Sequence, residues 1–184
     1  SKLSAEKLLV AANNLSGESG TRFSCTRYGN VVGSRGSVIP YFRSLIEKGA
    51  DHLPVTDARM TRFLIRLDEG VDFVLTSLGG MKGGEIFVPK LPAVRVTDLA
   101  TVMAPGLEQR TVGIRPGGKL HETLLSIDEA RTTIEMDDRY MIQPPLSFWR
   151  EHAQVFEHIK TVPQDFVYQS SQETLLMALE DITE

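Results

Sequence analysis

The stretch Arg27-Tyr28-Gly29-Asn30-Val31-Val32-Gly33-Ser34-Arg35-Gly36-Ser37 decides the fold. It follows the strand-like run Arg22 to Thr26 and leads into a pattern in which Val38, Ile39, Phe42, Leu45 and Ile46 recur at helical spacing. A strand that turns through glycines into a helix leaves the first backbone N–H groups of the helix unbonded, and the helix dipole there favours an anion. Arg27 and Arg35 add fixed positive charge, and the Asn30 amide both donates and accepts, which suits a hydroxyl-rich, phosphate-bearing ligand. An ordinary strand-to-helix connection whose glycines serve only the turn accounts for the same residues. Gly29, Gly33 and Gly36 imitate a dinucleotide fingerprint, but one glycine spacing alone does not choose between these readings.

Outward from this stretch the chain alternates short elements. Before it, Leu3, Leu8, Leu9 and Ala12 mark one side of an amphipathic helix already under way at the first residues. After the helix that ends near Lys48, Leu53 to Thr56 and Thr61 to Ile65 read as short apolar segments. Leu67 to Leu78 predicts a helix, closed by Gly79-Gly80 and Gly83-Gly84 ahead of a buried strand from Glu85 to Pro89. Val94 to Val96 starts an extended piece, Thr97 or Asp98 caps a helix through Met103, and Pro105-Gly106 ends it. Thr111 to Arg115 predicts a strand and Lys119 to Leu125 a helix. From Ser147 the chain is polar and irregular until Glu173 to Ile182 resumes a helical pattern.

Composition narrows the classes. The 184 residues are 41% hydrophobic and contain no apolar run of membrane-spanning length, which predicts one ordinary core and no membrane partner. A net charge of -4 argues against nonspecific nucleic-acid binding. Cys25 is the single cysteine and stands in an apolar strand, so it reads as a small buried hydrophobe in a reducing compartment. The opening residues do not read as a signal peptide. His52, His121, His152 and His158 lack metal-ligand spacing, and no metal is expected. Gly113-Ile114-Arg115-Pro116-Gly117-Gly118-Lys119 imitates a P-loop, but Leu120 stands where Ser or Thr must hold Mg²⁺.

Together with Met60-Thr61-Arg62-Phe63, Gly84-Glu85-Ile86-Phe87-Val88-Pro89-Lys90 and Gly113-Ile114-Arg115-Pro116-Gly117, the opening stretch resembles the UDP-N-acetylglucosamine 4,6-dehydratases of the inverting type. These are extended short-chain dehydrogenase/reductases that open pseudaminic acid biosynthesis. The likeness runs from Ser1 to about Pro144; Gly118 departs from the Arg-Pro-Gly-Glu-Lys pattern of the family. The resemblance implies an α/β fold, the C-terminal part of an extended Rossmann, NAD(P)-binding fold with its substrate-binding region. Residues 1–145 would form the second half of the Rossmann core with interleaved substrate-binding segments, and 146–184 a variable tail with a final helix. In the family the first helix carries Tyr-x-x-x-Lys; Lys2 falls on the lysine, and the tyrosine would lie three positions before Ser1. The chain is therefore expected to be the C-terminal portion of a longer enzyme, lacking on the order of 130 to 150 residues, and to be inactive by itself. Apart from the resemblance, Lys2 reads as a solvated helix lysine.

The family removes a hydride from C4 of the sugar onto NADP⁺, eliminates water across C5 and C6, and returns the hydride to C6. By resemblance, Lys2, Val31, Val32, Gly33, Ser34 and Arg35 line NADP, with Lys2 also promoting ionisation of the tyrosine, and Asn30 contacts the UDP-sugar substrate. Arg62 and Arg115 are expected to grip the diphosphate, because a planar guanidinium matches phosphate oxygens two at a time. The alternative for each is a strand-end arginine paired with Asp57 or Glu122. Arg59, Lys119 and His121 read as supporting residues, and Asp57 and Asp68 as capping groups. Asp57, Phe63 and Val88-Pro89-Lys90 favour the inverting over the retaining group, whose members read Thr-His-Pro-x-Met-Thr-Arg-Tyr here. A related UDP-sugar epimerase, a retaining 4,6-dehydratase and a non-catalytic UDP-sugar-binding fragment are the alternatives. The full-length enzyme is expected to be a cytoplasmic homo-oligomer.

Overall fold

The computed structural model describes residues 2–16, 20–144 and 160–183. In chain order the elements are α1 (Lys2–Ser16), β1 (Cys25–Thr26), β2 (Asn30–Val31), α2 (Val38–Glu47), β3 (His52–Val55), β4 (Thr61–Ile65), α3 (Leu67–Gly80) and β5 (Ile86–Pro89). There follow β6 (Ala93–Arg95), α4 (Val96–Met103), β7 (Glu108–Thr111), β8 (Thr123–Leu125), α5 (Ile127–Ala130), β9 (Thr133–Glu135), β10 (Arg139–Ile142), β11 (Lys160–Thr161) and β12 (Tyr168–Gln169). They form two compact units, each drawn from three separate stretches: residues 1–28, 71–90 and 124–167 in one, 29–70, 91–123 and 168–184 in the other. The fold is mixed α/β with parallel strand pairs, as the sequence predicts.

The first unit is built on a five-stranded sheet in the order β1-β5-β10-β9-β11. β1 runs parallel to β5, with Cys25 opposite Ile86, and the remaining pairings are antiparallel. All four residues of β5 are buried, which accounts for its unbroken apolar run. Phe73, Phe87, Ile134 and Met141 form the core on this sheet. α1 is rich in Ala, Leu and Lys and free of Gly and Pro, so it forms on propensity. Its buried residue is polar: Asn13 donates from Nδ2 to the Phe23 carbonyl at 2.9 Å and accepts the Phe23 N–H at 3.0 Å. Gly83 leaves room for that amide, since a Cβ there would lie 2.7 Å from Asn13 Oδ1.

The second unit holds a three-stranded sheet, β2-β4-β6, and a parallel pair, β3 and β7. β2 is parallel to β4, with Asn30 opposite Leu64, and β6 is antiparallel to β4. Phe42, Leu53, Val55, Met60, Val96 and Ala100 make its core. Side chains alternate along β4: Thr61, Phe63 and Ile65 are buried, whereas Arg62 and Leu64 are half-buried on the opposite face.

Several local expectations are corrected. Lys119 to Glu122 is not helical, because the carbonyls a helix would use are taken elsewhere: Lys119 and Leu120 accept from Arg62, and Leu120 also accepts the Thr61 N–H. A strand, β8, follows. The strand expected at Thr111 to Arg115 lies earlier, at Glu108–Thr111, and Gly113, at φ 87°, turns the chain away from it. α4 begins at Val96, ahead of both expected caps, Thr97 and Asp98, with Arg95 in the cap position and no side-chain cap. Instead of one final helix, Glu173–Leu175 and Leu179–Thr183 form two 3-10 turns. Between them Leu176 bridges Ala93, and the Met177 N–H donates to the Ala93 carbonyl at 2.9 Å. The earlier part of the tail, 145–159, lies outside the described residues.

Candidate functional site

In the second unit, β2, the start of α2, the outer face of β4, β6 and the first turns of α4 enclose a cavity of about 230 Å³. Its polar lining residues include Asn30, Ser37, Thr56 and Arg62; Val31, Val38, Met60, Leu64, Val94 and Leu99 are among the apolar ones. The alternation of β4 is what brings Arg62 and Leu64 to it. Ser37 occupies the N-cap of α2 in extended conformation but makes no side-chain cap hydrogen bond. Its Oγ is buried without a hydrogen-bond partner among the described residues. A buried hydroxyl left unsatisfied beside free helix N–H groups marks a place where a polar ligand atom repays binding.

Arg62 is half-buried at this cavity. Nη1 donates to the Thr61 and Leu120 carbonyls at 2.7 and 3.1 Å, Nη2 donates to the Lys119 carbonyl at 2.8 Å, and Nε lies 3.8 Å from Glu122 Oε1. Burial pulls its pKa down, with Glu122 opposing. Most of the guanidinium fork is thus engaged by the 119–122 segment. Arg115, by contrast, is exposed and does not line the cavity, and among the described residues its side chain has no hydrogen bond or ion pair. Asp57 pairs with Arg59 rather than with either of these arginines, and is held at about 2 chiefly by the Arg59 side chain.

The loop between β2 and α2 is a tight turn. Val32 N–H donates to the Ile65 carbonyl at 2.9 Å, Ser34 N–H to Val31 at 3.1 Å and Ser37 N–H to Ser34 at 3.0 Å. Gly33 and Gly36 have φ of 73° and 76°, where side chains are disfavoured. Val32, Ser34 and Arg35 are exposed. Lys2 is exposed on α1 of the other unit.

Arg27 does not serve the loop that follows it. In the first unit, its Nε and Nη2 grip Glu6 at 2.7 and 2.6 Å, Nη1 and Nη2 reach Glu129 at 3.0 and 2.7 Å, and Nη1 also donates to the Leu124 carbonyl at 2.8 Å. Burial would raise the Glu129 carboxyl, but hydrogen bonds from Arg27 and from Ser126, its partner in a capping box at α5, hold it at about 2. Cys25 beside it is half-buried, and burial with nearby Glu6 pushes its thiol up.

Three features of the site were not read from sequence. Ser37 is a cap-type residue ahead of an apolar run, so its place, though not its unpaired hydroxyl, was legible. Glu122, weighed only as an arginine partner, also binds the Asn30 amide and the Phe63 N–H. Ser170 joins Thr61, which also contacts His121, through hydroxyls 2.7 Å apart; nothing in its neighbourhood of the sequence signals this. Among the described residues, no group of three His, Cys, Asp or Glu is placed to hold a metal, and no helix is long and apolar enough to cross a membrane.

Parallel strand pairs that feed helices, with the cavity at a strand-to-helix turn, define a Rossmann-like α/β protein. More particularly, residues 1–144 match the model of the family described as polysaccharide biosynthesis protein, and the chain belongs to that family. It is 54% identical over 147 residues to the UDP-N-acetylglucosamine 4,6-dehydratase (inverting) of Campylobacter jejuni subsp. jejuni serotype O:2, over 80% of this chain and 44% of that protein. It is 39% identical over 146 residues to the UDP-glucose 4-epimerase of Rickettsia rickettsii, over 77% of this chain and 42% of that one. The crystal structure of Pen from Bacillus thuringiensis matches with a TM-score of 0.84 at 32% identity, over 98% of this chain and 53% of that one. The resemblance to inverting dehydratases is thereby borne out, and the chain spans under half the length of these curated relatives.

Proposed function

We propose that this chain supplies the UDP-sugar-binding wall and the nicotinamide-facing loop of an NADP-dependent UDP-N-acetylglucosamine 4,6-dehydratase that inverts C5. The whole protein would act as a cytoplasmic homo-oligomer in nucleotide-sugar biosynthesis toward pseudaminic acid or a related surface glycan. One observation carries this reading: Asn30, the unpaired Ser37 hydroxyl and Arg62 meet in one cavity at the N-terminus of α2. A cation, a hydroxyl and free helix N–H groups suit a phosphate group, while Val94 and Leu99 offer an apolar wall to a base. At about 230 Å³ the cavity is smaller than most ligand sites, which begin at roughly 300 Å³, so it takes one end of a nucleotide sugar rather than all of it. Arg62 and Arg115 remain the proposed diphosphate ligands, Arg115 from its exposed loop.

Val31, Val32, Gly33, Ser34 and Arg35 would face the nicotinamide end of NADP, and Lys2 its ribose. The loop fits a close ligand approach, since a Cβ at Gly33 would meet no heavy atom within 4 Å and the backbone is open there. When bound, the cofactor supplies hydride acceptance and return; the protein's part is to orient it and the sugar. The identity to a UDP-glucose 4-epimerase favours a second reading, an epimerase on the same scaffold, which a 4-keto-6-deoxy product of the whole protein would exclude.

Titration calorimetry of the 184-residue chain with UDP tests the site. UDP is expected to bind, Arg62→Lys to weaken it by roughly tenfold to hundredfold, and Arg35→Ala to leave it unchanged. Absence of UDP binding by the parent chain, or an Arg62→Lys variant that binds like the parent, overturns the assignment.

A further inference from the structure

Glu122 does not line the cavity, yet it touches two of the polar side chains that do. Its carboxylate Oε1 accepts from Asn30 Nδ2 at 3.3 Å and lies 3.8 Å from Arg62 Nε, while Oε2 accepts the Phe63 N–H at 3.0 Å. A single carboxylate thus spans β2 and β4. It is itself pinned from behind: the Glu122 N–H donates to Ser170 Oγ at 2.9 Å, and the Ser170 N–H donates to the Glu122 carbonyl at 2.9 Å. An ionised carboxylate only accepts, so the Asn30 amide must turn its NH₂ toward Glu122; the reversed amide would set oxygen against oxygen.

We propose that Glu122 is a positioning residue that fixes the Asn30 carboxamide and holds the Arg62 charge beside it. Asn30 Oδ1 is then presented as an acceptor, so the ligand group it meets is a donor, a sugar hydroxyl or an amide N–H, while the anionic part of the ligand falls to Arg62 and the start of α2. Glu122→Gln isolates this role. Its amide oxygen, standing where Glu122 Oε2 stands, keeps the Phe63 N–H bond, but its NH₂ group then confronts the donors of Asn30 and Arg62, and the Asn30 amide is free to turn. The inference rests on the reading of the cavity as a UDP-sugar site.

Two measurements on the 184-residue chain test it together. In calorimetry with UDP-N-acetylglucosamine, Glu122→Gln is expected to weaken binding about tenfold in the parent background and less than about threefold when Asn30 is already Ala, the coupling that a double-mutant cycle isolates. In NMR spectra of the ligand-free chain, the Asn30 side-chain amide signals are expected to move in Glu122→Gln. Equal losses in the two backgrounds, or Asn30 signals unmoved by Glu122→Gln, overturn the proposal. If Asn30 responds as expected but the parent chain binds neither UDP nor the sugar nucleotide, the cavity reading fails while the orientation of Asn30 by Glu122 stands.

Discussion

Arg27 and Arg62 are both arginines at the edge of short strands, and the structure gives them opposite surroundings. Arg27 faces two carboxylates inside its unit, whereas Arg62 faces backbone carbonyls and the distant edge of one carboxylate at a cavity. Residue type and spacing were the same in kind, so only the identity of the partners separates a charge locked between two carboxylates from one held at a cavity. The Arg27 cluster makes acid stability depend on Glu129. Its carboxyl titrates at about 2 in the folded chain against an ordinary 4.5, so the unfolded chain takes up the proton first as pH falls. The contribution is complete above roughly pH 5 and drains away toward pH 2. Urea denaturation should show Glu129→Gln to be less stable than the parent by about 1 to 3 kcal/mol at pH 7, with the gap narrowing as pH drops through 4 to 2.5. A gap that is constant across this range would mean that the carboxylate charge contributes nothing.

At the scale of elements, the strands were legible where burial is two-sided or alternating. β5 is an apolar run buried throughout, and β4 keeps the alternation that puts Arg62 on the cavity side. The 119–125 segment was misread because its helical pattern yields to long-range bonds from Arg62 and Thr61, which a local window does not contain. The 173–182 pattern fails for the same reason, broken by its bridge to Ala93. α1 formed as expected, but its apolar side is open: Leu8 is 71% exposed and Leu15 90%. Val71, Leu75 and Leu78 of α3 are likewise exposed. Such surface recruits apolar partners. The chain is therefore expected to enhance the fluorescence of a hydrophobic dye at neutral pH, and Leu8→Lys with Leu15→Lys to lower that signal without lowering the melting temperature. An unchanged signal would place the dye-binding surface elsewhere.

Across the whole molecule, the family match ends at residue 144, yet residues beyond it complete the second unit. Tyr168 stacks on Phe63 with ring centroids 4.8 Å apart, and its hydroxyl both accepts the Leu91 N–H at 2.6 Å and donates to the Leu91 carbonyl at 3.0 Å. Tyr168→Phe should cost about 1 to 3 kcal/mol by stranding a buried backbone donor, and Tyr168→Ala about 3 to 5 kcal/mol by emptying the space against Phe63 as well. Equilibrium unfolding of the three chains checks the order; a silent Tyr168→Ala would show that the tail is dispensable to the unit. None of this was visible beforehand, since Tyr168 and Ser170 sit in a polar stretch whose partners Leu91 and Thr61 lie 77 and 109 positions earlier. Each unit is assembled from three stretches that alternate along the chain. A single break of the chain anywhere between residues 29 and 167 therefore leaves neither unit whole on either side of it.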